Sequence, residues 1–337
     1  MFIFAAIGPI AITAGTAAST IGSTIAELAG IQNSFTLQVI VLLGVAVIFS
    51  LSSFVGIDKG MRRISDYNIY ACMGLLAFIL IVGSTRHILD SMVDSLGLMF
   101  TDFIRMTTYT DPIGQSGYPQ DWTVFYLIYW LVFGPFTGLF VAKISKGRKL
   151  KEIIFNMLGS GSLGLFCFFG IIGSYQQDLW VKGILDVPGM LAGGKSEEIA
   201  TATLGTLPLS KVIMCVYLFV IVMFLATTLD AVSFTLSSTV SKGLGPNDEP
   251  NKGLKLVWCV VLVAIPIAIS YVGTDINTIK AIVLLTGFPL VVILAIVYKD
   301  FLGNLFKRFK KKSKEEILAE WDISELPDQG VGKQVTS

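Results

Sequence analysis

Charged side chains are scarce in this sequence, at 15% of its 337 residues, whereas hydrophobic residues make up 53%. Such a balance excludes an ordinary soluble globular domain. The formal net charge is only +1, and the basic residues are gathered in short clusters, so no nucleic-acid partner is expected. Repeated long apolar runs instead predict an all-α polytopic membrane protein that is embedded in a lipid bilayer.

Histidine and cysteine are rare as well. His87 is the single histidine, and the four cysteines lie in or beside apolar runs without the spacing of metal ligands, which favours buried thiols over disulfides or a metal site. The apolar runs contain no Ser/His, His/Glu or paired-carboxylate arrangement, so neither an enzyme nor a cofactor is expected. Met1 opens directly into an apolar run, without the basic leader or the cleavage signal of a signal peptide.

The apolar runs predict about eight transmembrane helices in a membrane domain that covers residues 1–302. A tail follows over residues 303–337, basic at first and then polar. Residues 86–106 alternate apolar and polar positions at helical spacing, which predicts an amphipathic helix on the outer surface rather than another crossing. The predicted spans are residues 2–28, 36–56, 68–84, 121–143, 153–175, 211–240, 254–273 and 278–299.

The distribution of basic residues predicts how these spans are oriented. The segments predicted to be external carry only scattered basic residues, such as Arg86 and Lys182. By the positive-inside rule, both ends of this chain are expected in the cytoplasm, and the protein is expected to be a multi-pass protein of the cell membrane. The predicted cytoplasmic segments hold the basic clusters, at residues 59–63, 143–151, 242–255 and 299–314.

The segment over residues 119–151 is the most informative stretch of the chain. No charge falls between Trp122 and Val141, and a basic loop follows at once. The row of rings in its first half has three interpretations: an interfacial belt, core packing, or a cage for an organic cation, because ring faces attract a quaternary ammonium group. The spacing by three and four residues places several of these rings on one side of a helix: Trp122, Phe125, Tyr126, Tyr129, Trp130 and Phe133.

Two motifs here resemble a known transporter family. DWTVFYLIYW followed by ISKGRKLKE resembles the eighth span and the following loop of the betaine/choline/carnitine transporter family, and TDPIGQSGYPQDW is similar to its carnitine-type members. The resemblance implies a LeuT-like inverted-repeat transporter fold that is N-terminally incomplete, beginning at the fifth of the family's twelve spans. It favours the cage, and it implies that the substrate-binding residues are Trp122, Tyr126, Tyr129, Trp130 and Phe133.

The row of rings departs from the family at three positions. Tyr129 and Phe133 each stand where betaine-type members have a tryptophan, and Leu127 replaces another tryptophan of the same string. Tyrosine and phenylalanine are still cation-binding faces, although weaker than tryptophan. Which trimethylammonium solute is preferred, among glycine betaine, carnitine and choline, therefore stays open.

Hydroxyl residues in two other spans resemble the family's sodium sites. GTAAS at 15–19 is similar to part of the fifth span, and FLATTLD at 224–230 to the tenth. A threonine in a membrane helix also commonly bonds its own backbone, so packing or back-bonding remains the alternative. Asp230, an ionisable group at the depth of a span, is a functional candidate in its own right. The residues implied in ion binding are Thr16, Ser19, Phe224, Thr227 and Thr228.

The resemblance implies a secondary transporter of trimethylammonium solutes that is coupled to sodium by symport and assembles as a homotrimer. Two alternatives remain: sodium-independent exchange of substrate against product, and a membrane sensor that keeps the cage as a receptor without transporting. In the family, the third and fourth spans contribute to the substrate site, and the third also to the sodium site. These spans are not in the present sequence. If the sequence is a fragment, the mechanism belongs to the longer protein; if it is a natural product, half of the site is missing unless another chain completes it, and transport by this chain alone is then not expected.

Overall fold

The computed structural model describes residues 2–55, 62–145, 147–242, 250–272 and 276–310. All regular structure in these ranges is helical, which confirms the all-α polytopic class; a backbone inside a bilayer must satisfy its hydrogen bonds within each segment. The helices are α1 (Phe2–Ala29), α2 (Phe35–Val55), α3 (Arg62–Val82), α4 (Thr85–Thr108), α5 (Phe125–Ile144), α6 (Leu150–Val181), α7 (Val187–Ala192), α8 (Ser196–Gly205), α9 (Ser210–Val240), α10 (Lys252–Val272) and α11 (Ile276–Phe309).

Several helices are long and apolar enough to cross a bilayer. The arrangement of about eight spans, with a membrane domain over 1–302, remains a prediction, and most of the predicted tail lies outside the described residues. Among those that are described, six segments meet the length and composition of a span, and Phe35–Leu51 of α2 is a shorter apolar stretch. The six are Arg63–Val82, Gln120–Ala142, Leu150–Val181, Ser210–Val240, Lys252–Ile269 and Pro289–Lys307.

Helix α1 lies at the centre of the bundle, where it contacts α2, α5, α8, α9, α10 and α11. Its buried positions Ile10, Ala14, Ala18 and Ile21 recur every three or four residues and form one face. The small side chains on this face let neighbouring helices approach closely. This face joins residues of α2, α5, α9 and α10 in the larger hydrophobic core.

A second core lies between α3, α4, α6, α8 and α9. Leu75 and Ile79 of α3 pack there with Ile88 of α4 and Tyr175 of α6. Helix α9 takes part in both cores, through Val220 in this one and through the turns after it in the larger one. The long helix α9 therefore connects the two halves of the described bundle.

Helix α4 occupies the segment predicted to be amphipathic. It packs on α6 and α3, and Ile88 is its buried residue, whereas Phe100 and Ile104 are exposed. The junction of α3 and α4 is held at Ser84, whose hydroxyl donates to the carboxylate of Asp178 on α6; the Lys182 ammonium, 2.6 Å from the same carboxylate, joins them. The position of α4 at the membrane surface stays a prediction.

Candidate functional site

The loop before the aromatic helix is ordered by Asp111. Its carboxylate accepts hydrogen bonds from the Ser116 hydroxyl at 2.6 Å, the Ser116 amide at 2.9 Å, the Gly114 amide at 3.0 Å and the Tyr109 hydroxyl at 2.9 Å. These donors, the Ser116 hydroxyl first, lower the pKa of Asp111 to about 2. The backbone of Asp111 is left-handed, with φ of 52°, a conformation that its side-chain bonds help to hold.

A π-helical turn over Gln120–Val124 leads from this loop into α5. Such a turn takes one more residue than an α-helical turn and is frequent at functional sites. The Gln120 side-chain amide donates to the Thr110 carbonyl at 2.8 Å, so the turn is tied back to the loop. Trp122 lies in this turn, and its ring stacks on Tyr126 with centroids 6.0 Å apart.

All five predicted substrate-binding residues lie in one continuous row of rings, which we call the aromatic row. The ring centroids are 6.0 Å apart for Trp122 and Tyr126 and again for Tyr126 and Tyr129, 5.7 Å for Tyr129 and Trp130, and 6.3 Å for Tyr129 and Phe133. The spacing by three and four residues on one helix produces this row. Whether the row binds a substrate stays a prediction.

The aromatic row has an exposed edge and a packed edge. Trp130 is 59% exposed, whereas Tyr129 and Phe133 are half-buried. Phe133 packs against the larger core, and its ring stacks on Phe136 at 5.2 Å. Within the described residues the aromatic row thus has an uncovered ring face at Trp130.

Tyr129 is tied to α1 by hydrogen bonds that the sequence pattern did not predict. Its hydroxyl donates to the Thr13 hydroxyl at 3.0 Å, and the Pro9 carbonyl, at 3.4 Å, is a second and longer acceptor for the same hydrogen. Thr13 donates to the same carbonyl at 3.0 Å. The only sequence signal for Thr13 is that it lies one turn before Thr16 in the helix rich in small and hydroxyl residues.

The hydroxyls of the predicted ion-binding threonines of α9 donate hydrogen bonds to backbone carbonyls of the same helix. Thr227 donates to the Met223 carbonyl at 2.9 Å, and Thr228 donates to the Phe224 carbonyl at 2.8 Å. This back-bonding uses the hydroxyl hydrogen but leaves oxygen lone pairs for a cation. Both threonines line a cavity of about 400 Å³ that Phe133 and Ser65 also line, so the cavity adjoins the inner end of the aromatic row.

The two predicted positions on α1 lie elsewhere. Thr16 donates to the Ile12 carbonyl at 2.9 Å, and the Ser19 hydroxyl accepts a long bond of 3.5 Å from the Gln38 amide. Neither residue lines the cavity of Thr227 and Thr228. This cavity therefore does not bring the α1 and α9 candidates together.

Asp230 is buried on α9, at 4% exposure. Lys255 of α10 is buried as well, at 2%, and its ammonium lies 5.0 Å from the centre of the Phe234 ring, one turn after Asp230 on α9. A buried carboxylate and a buried ammonium thus lie on two helices that contact each other, and each charge is costly to bury unless an opposite charge compensates it.

Lys280 of α11 is a further residue that the sequence reasoning did not single out. Its ammonium lies 5.2 Å from the centre of the Trp122 ring and 5.3 Å from that of Phe125, in the range of a cation–π contact. Helix α11 packs along α5, which brings the lysine to the outer end of the aromatic row. The only signal in the sequence is an isolated lysine just inside the last apolar run.

Comparison with known proteins places this geometry in context. The family profile described as BCCT, betaine/carnitine/choline family transporter, matches residues 1–313. The chain is 35% identical over 302 residues to the "Uncharacterized transporter YeaV" of Escherichia coli (strain K12), an alignment that covers 90% of this chain and 63% of that protein.

Two further relatives have more specific names. The chain is 37% identical over 299 residues to the "Carnitine transporter" of Acinetobacter baumannii, covering 88% of this chain and 54% of that protein. It is 28% identical over 319 residues to the "Glycine betaine transporter OpuD" of Bacillus subtilis (strain 168), covering 94% of this chain and 60% of that protein. The chain therefore spans less than two thirds of the length of each of these relatives.

Proposed function

Because the chain belongs to the betaine/carnitine/choline transporter family, we propose that it carries the substrate-binding wall of a secondary transporter for trimethylammonium solutes. The observation that carries this proposal is the aromatic row, with its continuous ring contacts and the open face of Trp130. Relatives named as a carnitine transporter and a glycine betaine transporter support the same class of solute.

The chemistry of the solute explains why rings suit it. A trimethylammonium group has no N–H to donate, so hydrogen-bond acceptors gain little from it, whereas the negative face of a ring attracts its charge. Each such contact contributes about 1–2 kcal/mol when water is excluded. Trp130 offers the strongest and most exposed face, and Tyr129, fixed by Thr13, would hold the neighbouring face in place.

Sodium symport is the coupling that we propose. Thr227 and Thr228 would hold sodium with neutral oxygens, in keeping with the match of FLATTLD to the tenth span of the family. Sodium would supply the driving force, and the threonines would link its binding to the row through the cavity that they share with Phe133. Asp230 lies close by on α9, where its charge favours a cation.

The complete transporter is proposed to include segments beyond this chain. The family resemblance assigns part of the substrate site and part of the sodium site to upstream spans, and the chain spans less than two thirds of its relatives. We expect the complete protein to be a homotrimer in the cell membrane, with the ends of this chain on the cytoplasmic side. Substrate exchange without sodium is the alternative mode of the same site.

Uptake into proteoliposomes tests this proposal. Radiolabelled glycine betaine, carnitine and choline are offered with and without a sodium gradient, both to this chain and to a version preceded by the upstream spans of the carnitine transporter relative. We expect sodium-dependent uptake of at least one solute by the extended version. Uptake that is the same with and without the sodium gradient would indicate exchange. Binding of a solute without uptake by either version would indicate a sensor.

A pair of tryptophan variants then tests the row itself. Trp130→Ala should abolish or strongly weaken binding, because it removes the open ring face, while membrane insertion stays intact. Trp180→Ala is the matched control, since Trp180 on α6 is also half-exposed but lies outside the aromatic row. Equal affinities in the two variants would contradict binding at the row.

A further inference from the structure

Lys280 places a positive charge at one end of the aromatic row. Its ammonium lies over the rings of Trp122 and Phe125, at 5.2 and 5.3 Å from their centres. Trp122 belongs to the aromatic row, and Phe125 lies beside it, since the Phe125 and Tyr129 centroids are 5.7 Å apart. The ammonium is therefore separated from Tyr129 by a single ring, that of Phe125.

The charge of Lys280 is available to a ligand. The ion pairs found in the described part of the chain are Arg86 with Asp90 and Lys182 with Asp178, and neither includes Lys280. The side chain is half-buried between α5 and α11, so its charge is less screened by water than that of an exposed lysine. A ligand carboxylate would be a suitable partner for this ammonium.

From this juxtaposition we propose that Lys280 selects solutes that carry a carboxylate beside the trimethylammonium group, and disfavours solutes that are only cationic. This inference rests on the proposed function. The rings hold the trimethylammonium group, and the Lys280 ammonium pairs with the carboxylate at the other end of the same small molecule. Glycine betaine and carnitine have that carboxylate, whereas choline has a neutral hydroxyl group.

The same charge acts in opposite directions on the two classes of solute. It attracts the carboxylate of a zwitterion, and this attraction outweighs the repulsion of the more distant ammonium. Choline offers only the cation, so Lys280 repels it without compensation. Lys280 also occupies the ring faces of Trp122 and Phe125, which leaves as faces for the solute Tyr126, Tyr129, Trp130 and Phe133.

The test measures the affinities of glycine betaine and choline for the version of the protein that takes up solute in the proteoliposome experiment. Lys280→Gln removes the charge at similar length, and Lys280→Arg keeps it. Lys211→Gln is the matched control, because Lys211 is an exposed lysine at the start of α9. Each variant is first checked for a monodisperse profile in detergent.

We expect Lys280→Gln to lower the affinity ratio of glycine betaine to choline by about tenfold or more, with Lys280→Arg and Lys211→Gln close to the unmodified protein. If Lys280→Gln raises the affinity for both solutes equally, Lys280 only blocks the rings. If it leaves the affinity ratio unchanged, Lys280 does not contact the ligand. Either result overturns this inference but leaves the proposed function standing. If the unmodified protein binds neither solute nor carnitine, the proposed function fails, and the inference fails with it.

Discussion

The Tyr129 hydroxyl lies 3.0 Å from the Thr13 hydroxyl, across 116 positions of sequence. This contact joins α5, which carries the aromatic row, to α1, the central helix of the bundle. A tryptophan at position 129, as in betaine-type members, has no phenolic hydroxyl to make the same bond. Compared with a tryptophan at this position, Tyr129 therefore has a smaller ring, whose hydroxyl end is fixed by a hydrogen bond to Thr13.

Removal of this hydrogen bond should loosen Tyr129 without removing its ring. We expect Tyr129→Phe and Thr13→Val each to lower stability by about 1 kcal/mol, because each leaves the other hydroxyl with the Pro9 carbonyl as its remaining partner. The loss of stability in the double variant should be smaller than the sum of the losses in the two single variants. Thermal unfolding in detergent measures the three values, and strictly additive losses would mean that the two hydroxyls do not interact.

The oxygens of Thr227 and Thr228 should matter for sodium rather than for the fold. Thr227→Val and Thr228→Val keep the branched shape but remove the hydroxyl oxygens of two residues that line the cavity beside Phe133. We expect each to raise the sodium concentration for half-maximal uptake by about tenfold, equivalent to about 1.4 kcal/mol of binding free energy. The measurement is uptake as a function of sodium in the transport-competent protein.

Thr235→Val provides the control for this pair. Thr235 lies on the same helix and back-bonds to the Ala231 carbonyl at 2.9 Å, but it does not line the cavity. Its substitution should leave the sodium dependence unchanged. If all three variants shift the sodium dependence alike, the effect comes from lost back-bonding in α9, and the sodium site is elsewhere.

Local patterns in the sequence predicted the aromatic row because one helix produces it. The spacing of Trp122, Tyr126, Tyr129 and Phe133 determines which side of α5 the rings share, whatever α5 packs against. The apolar runs likewise predicted helices, since a bilayer leaves the backbone few alternatives. Both features depend on residues that are close in sequence.

The contacts of Thr13 and Lys280 could not be predicted in the same way. Each depends on which helix packs beside α5, and the partners are more than a hundred positions away in sequence. Nothing in the residues around Lys280 indicates that its ammonium lies over Trp122, because an isolated basic residue near the end of a span is commonly an interfacial anchor. The proximity of Phe133 to Thr227 in one cavity also follows from packing alone.

Asp111 should make the loop before α5 sensitive to acid. Because hydrogen bonds lower its pKa from 3.8 to about 2, the folded form binds a proton more weakly than the unfolded form. Its contribution to stability is complete above about pH 4 and is lost as the pH falls towards 2. Asp111→Asn should remove that contribution at neutral pH.

Hydrogen exchange at the Gly114 and Ser116 amides measures this effect, since both amides donate to Asp111. We expect faster exchange in Asp111→Asn than in the unmodified protein at pH 7, with the ratio of the two rates approaching one near pH 2. Asp121→Asn is the control, because Asp121 is an exposed carboxylate in the adjoining turn. A ratio of one at pH 7 would mean that the carboxylate does not hold the loop.

The buried charges of Asp230 and Lys255 should depend on each other. A buried charge is costly unless an opposite charge compensates it, so if these two compensate each other, Asp230→Asn or Lys255→Gln alone should each lower stability by about 3 kcal/mol. The double variant removes both charges and should cost less than the sum. Thermal unfolding in detergent measures the stability of the two single variants and the double variant. Sodium-dependent uptake by the double variant then shows whether the charges are also needed for coupling. If the double variant is stable but has lost sodium dependence, at least one of the two residues acts in coupling as well as in packing. Additive losses of stability would show instead that the two charges are compensated by different partners.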